Sequence, residues 1–352
     1  MHQVSRIPIS RRLSLLTVVA LAASSPGSAS ASASAPARWV TGPTLHAGSV
    51  HALSCPSARL CVALGSRLVR FDPSVRGGTQ QIVVKGFKPS DVACPSPREC
   101  VVVGHGAPHR DAAGDLRFPV DELSLDPAAN ATGGAFSVID AATNDPDDPV
   151  LGAKVTCVSV TNCVAIDWRY NVGVRGQAFD PVARTFRPGF TADNTDTGYT
   201  GNAPVGLSCP SARRCVVIDN FGGETTFDPA SPGSPKRSQL KAAFYGLACP
   251  STRLCLALGP LDNIYTFPPL HPRRIRRHSL KGGQLTALVC TDMRHCLLAG
   301  ADGSVLSGNP MTPARFRPER IQGAQGIVEL ACPTSTDCVA IDAAGRSFVR
   351  RG

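Results

Sequence analysis

Every cysteine in this 352-residue chain belongs to one pattern. Seven pairs share the spacing C-x5-C: Cys55/Cys61, Cys94/Cys100, Cys157/Cys163, Cys209/Cys215, Cys249/Cys255, Cys290/Cys296 and Cys332/Cys338. Their first members lie 39, 63, 52, 40, 41 and 42 residues apart, so a period near 40 runs through the chain and lengthens between the second and fourth copies. A period of that size is one four-stranded propeller blade. Zinc pairs use C-x2-C or C-x4-C spacing and no Cys-x-x-Cys redox motif is present, so the pairs read as structural disulfides. Closing so small a ring stabilises by about 2–3 kcal/mol per bridge in the loop-entropy account, and such bridges persist in an oxidising compartment.

After each pair comes a short apolar run, such as Cys100-Val-Val-Val or Cys255-Leu-Ala-Leu, with no polar alternation. Such a run reads as a strand covered on both faces, as the second strand of a blade is. Before each pair lies a strand with small residues, such as Gly246-Leu247-Ala248, suited to the crowded axis. A third strand often ends in Asp-Pro, as at Asp72-Pro73, Asp126-Pro127, Asp180-Pro181 and Asp228-Pro229. A fourth, outer strand follows in six repeats, for example at Gln80–Lys85, Gly134–Asp140 and Arg273–Ser279. The seventh lacks one, whereas Ala37-Arg38-Trp39-Val40 precedes the first repeat without a blade of its own. The fold predicted is therefore an all-β, seven-bladed propeller of four-stranded blades, its ring closed by an N-terminal strand that completes the last blade and covers exposed edges.

From about residue 37 to the end, the chain resembles secreted bacterial seven-bladed β-propellers whose blades carry a C-P-S-x-x-x-C hairpin. Strict matches start at Cys55, Cys94, Cys209 and Cys249; Cys332-Pro333-Thr334 is close, and the repeats at Cys157 and Cys290 lack the proline. The resemblance implies architecture and no particular activity. Neither a Trp-Asp dipeptide nor a sialidase-type Asp box is present to import one.

Residues 1–33 read as a secretory signal: Arg6, Arg11 and Arg12, an apolar run from Leu13 to Ala23, then small residues with candidate cleavage sites at Ala29-Ser30-Ala31 and Ala31-Ser32-Ala33. The run is too short to span a bilayer comfortably. A single propeller domain over 34–352 follows, with no transmembrane segment after removal of the signal. Removing the signal deletes three arginines and no acid, lowering the formal charge from +10 to +7. The chain is expected outside the cell, free or at the wall, where a basic surface favours anionic neighbours.

The longer repeats place insertions at His105 to Phe118, Ala141 to Gly152, Trp168 to Arg175 and Thr191 to Pro204. All fall in second-to-third-strand or blade-to-blade connections, which open on one face, here called upper. Long loops on a rigid scaffold commonly carry function. Trp168-Arg169-Tyr170 joins two aromatics and a guanidinium, a set suited to a sugar ring or a protein partner. His105 and His109 with Asp111 supply imidazoles and a carboxylate, without a third metal ligand type at recognisable spacing. Asp145, Asp147, Asp148, Asp193 and Asp196 are ligands of the kind calcium takes, but none follows an EF-hand or RTX spacing, so no cofactor is expected.

Two repeat positions vary in charge. Four residues after the second cysteine stand Gly65, Gly104, Gly259 and Gly300, but Asp167, Asp219 and Asp342 in the other blades. Asp167 and Asp219 belong to adjacent blades and are candidates for a shared polar pocket, or for turn hydrogen bonds. Three residues before the first cysteine, small residues give way to Asp91, Lys154 and Glu329, predicted near the upper axial opening. Away from these, His271 to His278 carries four arginines on the predicted outer strand of blade five. It reads either as a guard against edge pairing or as a polyanion-binding strip.

The function expected is a secreted, non-enzymatic binding or scaffold module that meets a wall polymer, glycan or protein through the upper loops of blades 2–4; nucleic acid is not the expected partner. The rival is a lyase or hydrolase at the axial opening, using Asp91, Lys154, Glu329, Asp167 or Asp219 with His51. No G-x-S-x-G elbow is present, and every thiol is paired.

Overall fold

The computed structural model describes residues 38–129, 131–132, 136–143, 150–169, 173–193, 203–231, 233, 235–281 and 283–351. The signal segment predicted over residues 1–33, Tyr170, and Asp145, Asp147, Asp148 and Asp196 lie outside the described residues. The strands form seven antiparallel sheets, the seven blades of a propeller. Within a blade, strands are counted from the axis outwards.

The second strands form as their composition dictates. Val101, Val102 and Val103 in blade 2, Val164, Ala165 and Ile166 in blade 3, and Leu256 and Ala257 in blade 5 are fully buried. Each is covered by neighbouring blades on both sides: Val101 and Val103 pack with Val155 and Ala165 across the boundary between blades 2 and 3. The core is thus a ring of inter-blade layers.

All seven cysteine pairs are bonded within their own blade, with Cα atoms 4.0–4.1 Å apart. Each bridge ties the first strand to the second near their hairpin, on the face opposite the insertions. The two sulfurs of a bridge differ in depth. The second cysteine of every pair, Cys61, Cys100, Cys163, Cys215, Cys255, Cys296 and Cys338, is 0% exposed. It opens the second strand and packs between blades: Cys61 lies against Val339 and Ile341 of blade 7, Cys215 against Val164 and Ile166 of blade 3, and Cys338 against Leu297 and Ala299 of blade 6. The disulfides are structural, as the spacing predicts, and Cys61, Cys215, Cys338 and their four equivalents are core residues. The first cysteines are half-buried, except Cys249, which is buried.

The proline decides the local register. In blades 1, 2, 4 and 5 the ladder breaks around Cys-Pro, between Ser54 and Ser57, Ala93 and Ser96, Ser208 and Ser211, and Ala248 and Ser251, and in blade 7, which has Cys332-Pro333, it ends at Ala331 opposite Val339. Where the proline is missing, Cys157 pairs directly with Cys163, the break falling just beyond it between Cys157 and Ser159, and Cys290 pairs with Cys296. Proline has no N–H to offer the ladder, and the strand yields around it.

The Asp-Pro turns have an equally local cause. Asp72, Asp126, Asp180 and Asp228 each accept, on Oδ1, the N–H two residues on, at 2.8–2.9 Å. Proline presets the backbone between the two partners.

The N-terminal strand Arg38–Thr44 pairs with Arg346–Arg351, Arg38 opposite Arg351, and supplies the outer strand of blade 7. The ring closes as expected. Trp39 Nε1 donates to Glu319 of blade 6 at 2.9 Å, and Arg350 of blade 7 donates to the same carboxylate, fastening the seam.

Two further expectations are corrected. The insertions are partly strand: in blade 2 the second and third strands run over Glu99–Gly106 and Leu116–Asp126, and the fourth over Phe136–Thr143. In blade 3 the first three run over Val150–Ser159, Asn162–Arg169 and Gly173–Asp180. Blades 2 and 3 therefore stand above the others on the upper face, because the added residues continue the ladders. On blade 5, the basic run begins in a short 3-10 turn at Pro272–Arg274, and its strand starts only at Arg276.

Candidate functional site at the axial mouth

The seven first strands surround an axial cavity of about 260 Å³. Its wall is set by the repeat. The residue three before the first cysteine is Ala52, Asp91, Lys154, Gly206, Gly246, Ala287 or Glu329 in blades 1 to 7, and all seven line the cavity. Small side chains leave it open, and the three charged ones fall inside it. His51 and Tyr245, one position earlier in blades 1 and 5, also line it.

The charges are not scattered. Glu329, His51, Asp91 and Lys154 come from blades 7, 1, 2 and 3, a continuous arc, while Gly206, Gly246 and Ala287 occupy the opposite arc. Burial pushes the Glu329 carboxyl up to about 7; Asp91 adds to the shift and Lys154 opposes it. Burial likewise raises Asp91, against Lys154, two backbone N–H groups and His51. Two carboxyls and an ammonium thus share one field, as their common repeat position foretold. Tyr245, 56% exposed, faces this arc across the mouth. Sequence reasoning missed it, although its place four residues before Cys249 matches that of His51 before Cys55.

The upper-face candidates divide differently. Trp168 and Arg169 lie in the second strand of blade 3, not on a loop. Arg169 is 0% exposed: its Nε donates to Asp167 Oδ2 at 2.8 Å and Nη2 to the Phe118 carbonyl at 2.5 Å. Its guanidinium is an internal tie between blades 3 and 2, which corrects the expectation that it faces a ligand. Trp168 is half-buried and lies over Gly152, where a Cβ would collide with the indole.

Asp167 is fully buried, and burial raises its pKa against the pull of Arg169. Asp219 Oδ1 instead accepts Phe221 N–H and Gly223 N–H, both at 2.8 Å, within its own turn. These bonds tie the Asp219 carboxylate into its own turn. Asp342 does the same for Ala344 and Arg346. In the glycine blades the incoming chain fills that space: a Cβ on Gly65 would meet the Ala47 carbonyl, and one on Gly104 the Lys88 carbonyl.

His105 lies in the second strand of blade 2, with Nε2 buried and lacking a hydrogen-bond partner. Burial, Lys88 and Arg169 lower its pKa. His109 is exposed, and Asp111 is bonded to Arg117. Among the described residues no group of three or more His, Cys, Asp or Glu could hold a metal ion. Seven disulfides suit an oxidising environment. Among those residues no helix is long and apolar enough to cross a membrane.

Neither a protein-family model nor a curated protein matches the sequence. The fold is nevertheless shared with solved propellers. YCF48 bound to D1 peptide aligns over 90% of this chain and 97% of that one, with a TM-score of 0.63 and 10% identity. BamB from Moraxella catarrhalis aligns over 86% of this chain and 83% of its own, with a TM-score of 0.54 and 13% identity. At these identities the likeness is one of architecture, and the chain is a seven-bladed propeller with a disulfide in every blade.

Proposed function

We propose that the chain is an exported, non-enzymatic binding propeller that holds a polypeptide partner on its upper face. The partner lies across the axial mouth and against the raised ends of blades 2 and 3. The observation that carries this reading is the one-sided mouth, with Glu329, His51, Asp91 and Lys154 on one arc and Tyr245 on the other. An exposed tyrosine facing buried charges offers an aromatic anchor beside groups that can pair with a polar or cationic side chain. The raised strands of blades 2 and 3 stand above the charged arc and extend the surface there. YCF48, of the same fold, is bound to D1 peptide, which supports a peptide ahead of a glycan or wall polymer.

Photo-crosslinking tests the reading. A photoreactive amino acid at Tyr245 is expected to capture a polypeptide from the exported fraction, and Asp91→Ala with Glu329→Ala to abolish the capture. The same probe at Arg59, on the opposite face, is expected to capture none of it. Equal labelling from both positions, or a glycan as the captured species, overturns the proposal.

One observation favours a second reading. A buried carboxyl near neutrality beside another carboxyl and a lysine is also how a general acid is prepared. Turnover of a small substrate, lost in Glu329→Gln, would establish the lyase or hydrolase instead.

A further inference from the structure

Propeller blades splay apart with distance from the axis, so a wedge opens between neighbouring outer strands. The repeat puts equivalent residues into these wedges, which makes them internal controls for one another. Between blades 6 and 7, Ser307 Oγ donates to Glu319 Oε1 at 2.7 Å, and Glu319 also accepts from Trp39 and Arg350. Between blades 4 and 5, Glu224 accepts the Leu270 N–H at 2.8 Å and the Ser238 hydroxyl. Between blades 1 and 2, Arg70 is capped by the carbonyls of Pro127 and, at 2.6 Å, Ala128. Charge in these wedges is answered from within the protein.

The wedge between blades 5 and 6 differs. By strand register, Thr266 and His278 stand where Ser307 and Glu319 stand one blade later. Their Oγ1 and Nε2 are 3.0 Å apart, and the carboxylate has gone. In its place is a cleft of about 970 Å³ lined by Arg214, Arg253, Arg273, Arg274 and Arg276. No aspartate or glutamate is among its described lining residues. Arg214 is steadied by the Thr252 carbonyl at 3.0 Å, and the 3-10 turn Pro272–Arg274 fixes two further arginines side by side. Like charges gathered without a counter-charge repel one another, and an anionic ligand relieves that repulsion.

We propose that this cleft binds a linear phosphodiester polymer in which phosphates alternate with short carbon segments. Guanidinium forks match phosphate oxygens in pairs. Guanidinium groups supply donors and no acceptor. A phosphodiester chain brings no N–H that needs a partner, whereas a peptide brings one at nearly every residue. Met293 and Met311, 40% and 59% exposed at the cleft, give the carbon segments an adaptable apolar margin. The cleft opens towards the disulfide hairpins and the outer rim, so it is independent of the axial mouth.

The test is titration of the mature protein with poly(glycerol phosphate), inorganic polyphosphate and poly-L-glutamate of matched length, at about 50 and about 200 mM salt. Poly(glycerol phosphate) is expected to bind tightest, to weaken steeply with salt, and to lose about 100-fold or more in Arg253→Gln/Arg273→Gln/Arg274→Gln/Arg276→Gln. The milder Arg253→Gln/Arg274→Gln is expected to lose about tenfold and serves if the fourfold variant misfolds. Both variants should retain the upper-face crosslink at Tyr245, which separates this site from the one proposed there. Equal or tighter binding of inorganic polyphosphate removes the carbon segments from the proposal and overturns it in that form. Equal or tighter binding of poly-L-glutamate assigns the cleft to acidic peptides. Absence of binding, or binding untouched by the arginine substitutions, refutes it outright.

Discussion

Asp91 of blade 2 bonds across the blade boundary to Val155 of blade 3: its Oδ2 accepts the Val155 N–H at 2.9 Å. Oδ1 accepts the N–H of Val92, also at 2.9 Å. The carboxylate that lines the axial mouth is therefore also a structural tie between two first strands. Asp91→Ala leaves the Val155 amide without that acceptor and is expected to destabilise by about 1–3 kcal/mol in urea unfolding. Asp91→Asn retains an amide oxygen for one bond and should cost less. Equal losses in the two variants would show that the inter-strand bond contributes nothing.

Stability should fall as pH rises from about 4.5 to 7. Burial pushes Glu122 and Glu329 up to about 7 from 4.5, with Glu99 adding to the first and Asp91 to the second. Across that window the folded protein keeps protons that the unfolded chain has released, and each rise in pH favours unfolding. The effect is at most about 3 kcal/mol per group, and less at Glu329, which is partly open to the cavity. His105, whose pKa is lowered, acts in the opposite sense as pH falls below its ordinary 6.5. Melting wild type against Glu122→Gln/Glu329→Gln at pH 5 and pH 8 isolates the carboxyls: the variant should gain relative stability at pH 8. A difference independent of pH would contradict the assignment.

The buried pair of Asp167 and Arg169 makes a prediction about order of damage. Asp167→Ala leaves a guanidinium with 0% exposure deprived of its carboxylate and is expected to cost about 3–5 kcal/mol. Replacing both, as Asp167→Leu/Arg169→Met, removes the stranded charge and should cost less than Asp167→Ala alone. Chemical denaturation of the three proteins decides it, and a larger loss in the double variant would show that the pair stabilises as a pair.

Ring closure rests on the seam at Glu319. Glu319→Gln weakens the charge-assisted bonds from Arg350 and offers Trp39 a poorer acceptor; Trp39→Ala removes a half-buried indole as well. The expected costs are about 1–2 kcal/mol for the first and about 2–4 kcal/mol for the second. Deleting residues 38–44 should expose the edge of Arg346–Arg351 and convert the protein into larger species on size-exclusion chromatography. A deletion variant of unchanged size and melting temperature would show that closure is dispensable.

The blade count, the hairpin positions and the closing strand were legible in the residues because each is a local matter repeated seven times. Cysteine spacing sets the hairpin, proline breaks its ladder, aspartate caps the turn, and an unbroken apolar run demands cover on both faces. The axial charges were legible for the same reason, since a position held by small residues at the axis admits Asp91, Lys154 and Glu329 only into the cavity. What the sequence could not decide was direction and neighbourhood. Spacing pairs Cys61 with Cys55, but only the packing of adjacent blades puts Cys61 wholly inside and leaves Cys55 half-buried. Trp168-Arg169 reads as an exposed pair until the ladder of blade 3 continues through it and a carboxylate two residues back draws Arg169 inside. Asp167 and Asp219 share a repeat position, yet one pairs with a guanidinium and the other caps a turn, because their partners come from different local chain paths. Tyr245 and His51 became parts of one mouth, and five arginines from blades 4 and 5 the wall of one cleft, only when the ring closed. Local rules act through near neighbours in the chain, whereas a site shared between blades is made by the splay and order of the blades, which tertiary packing alone supplies.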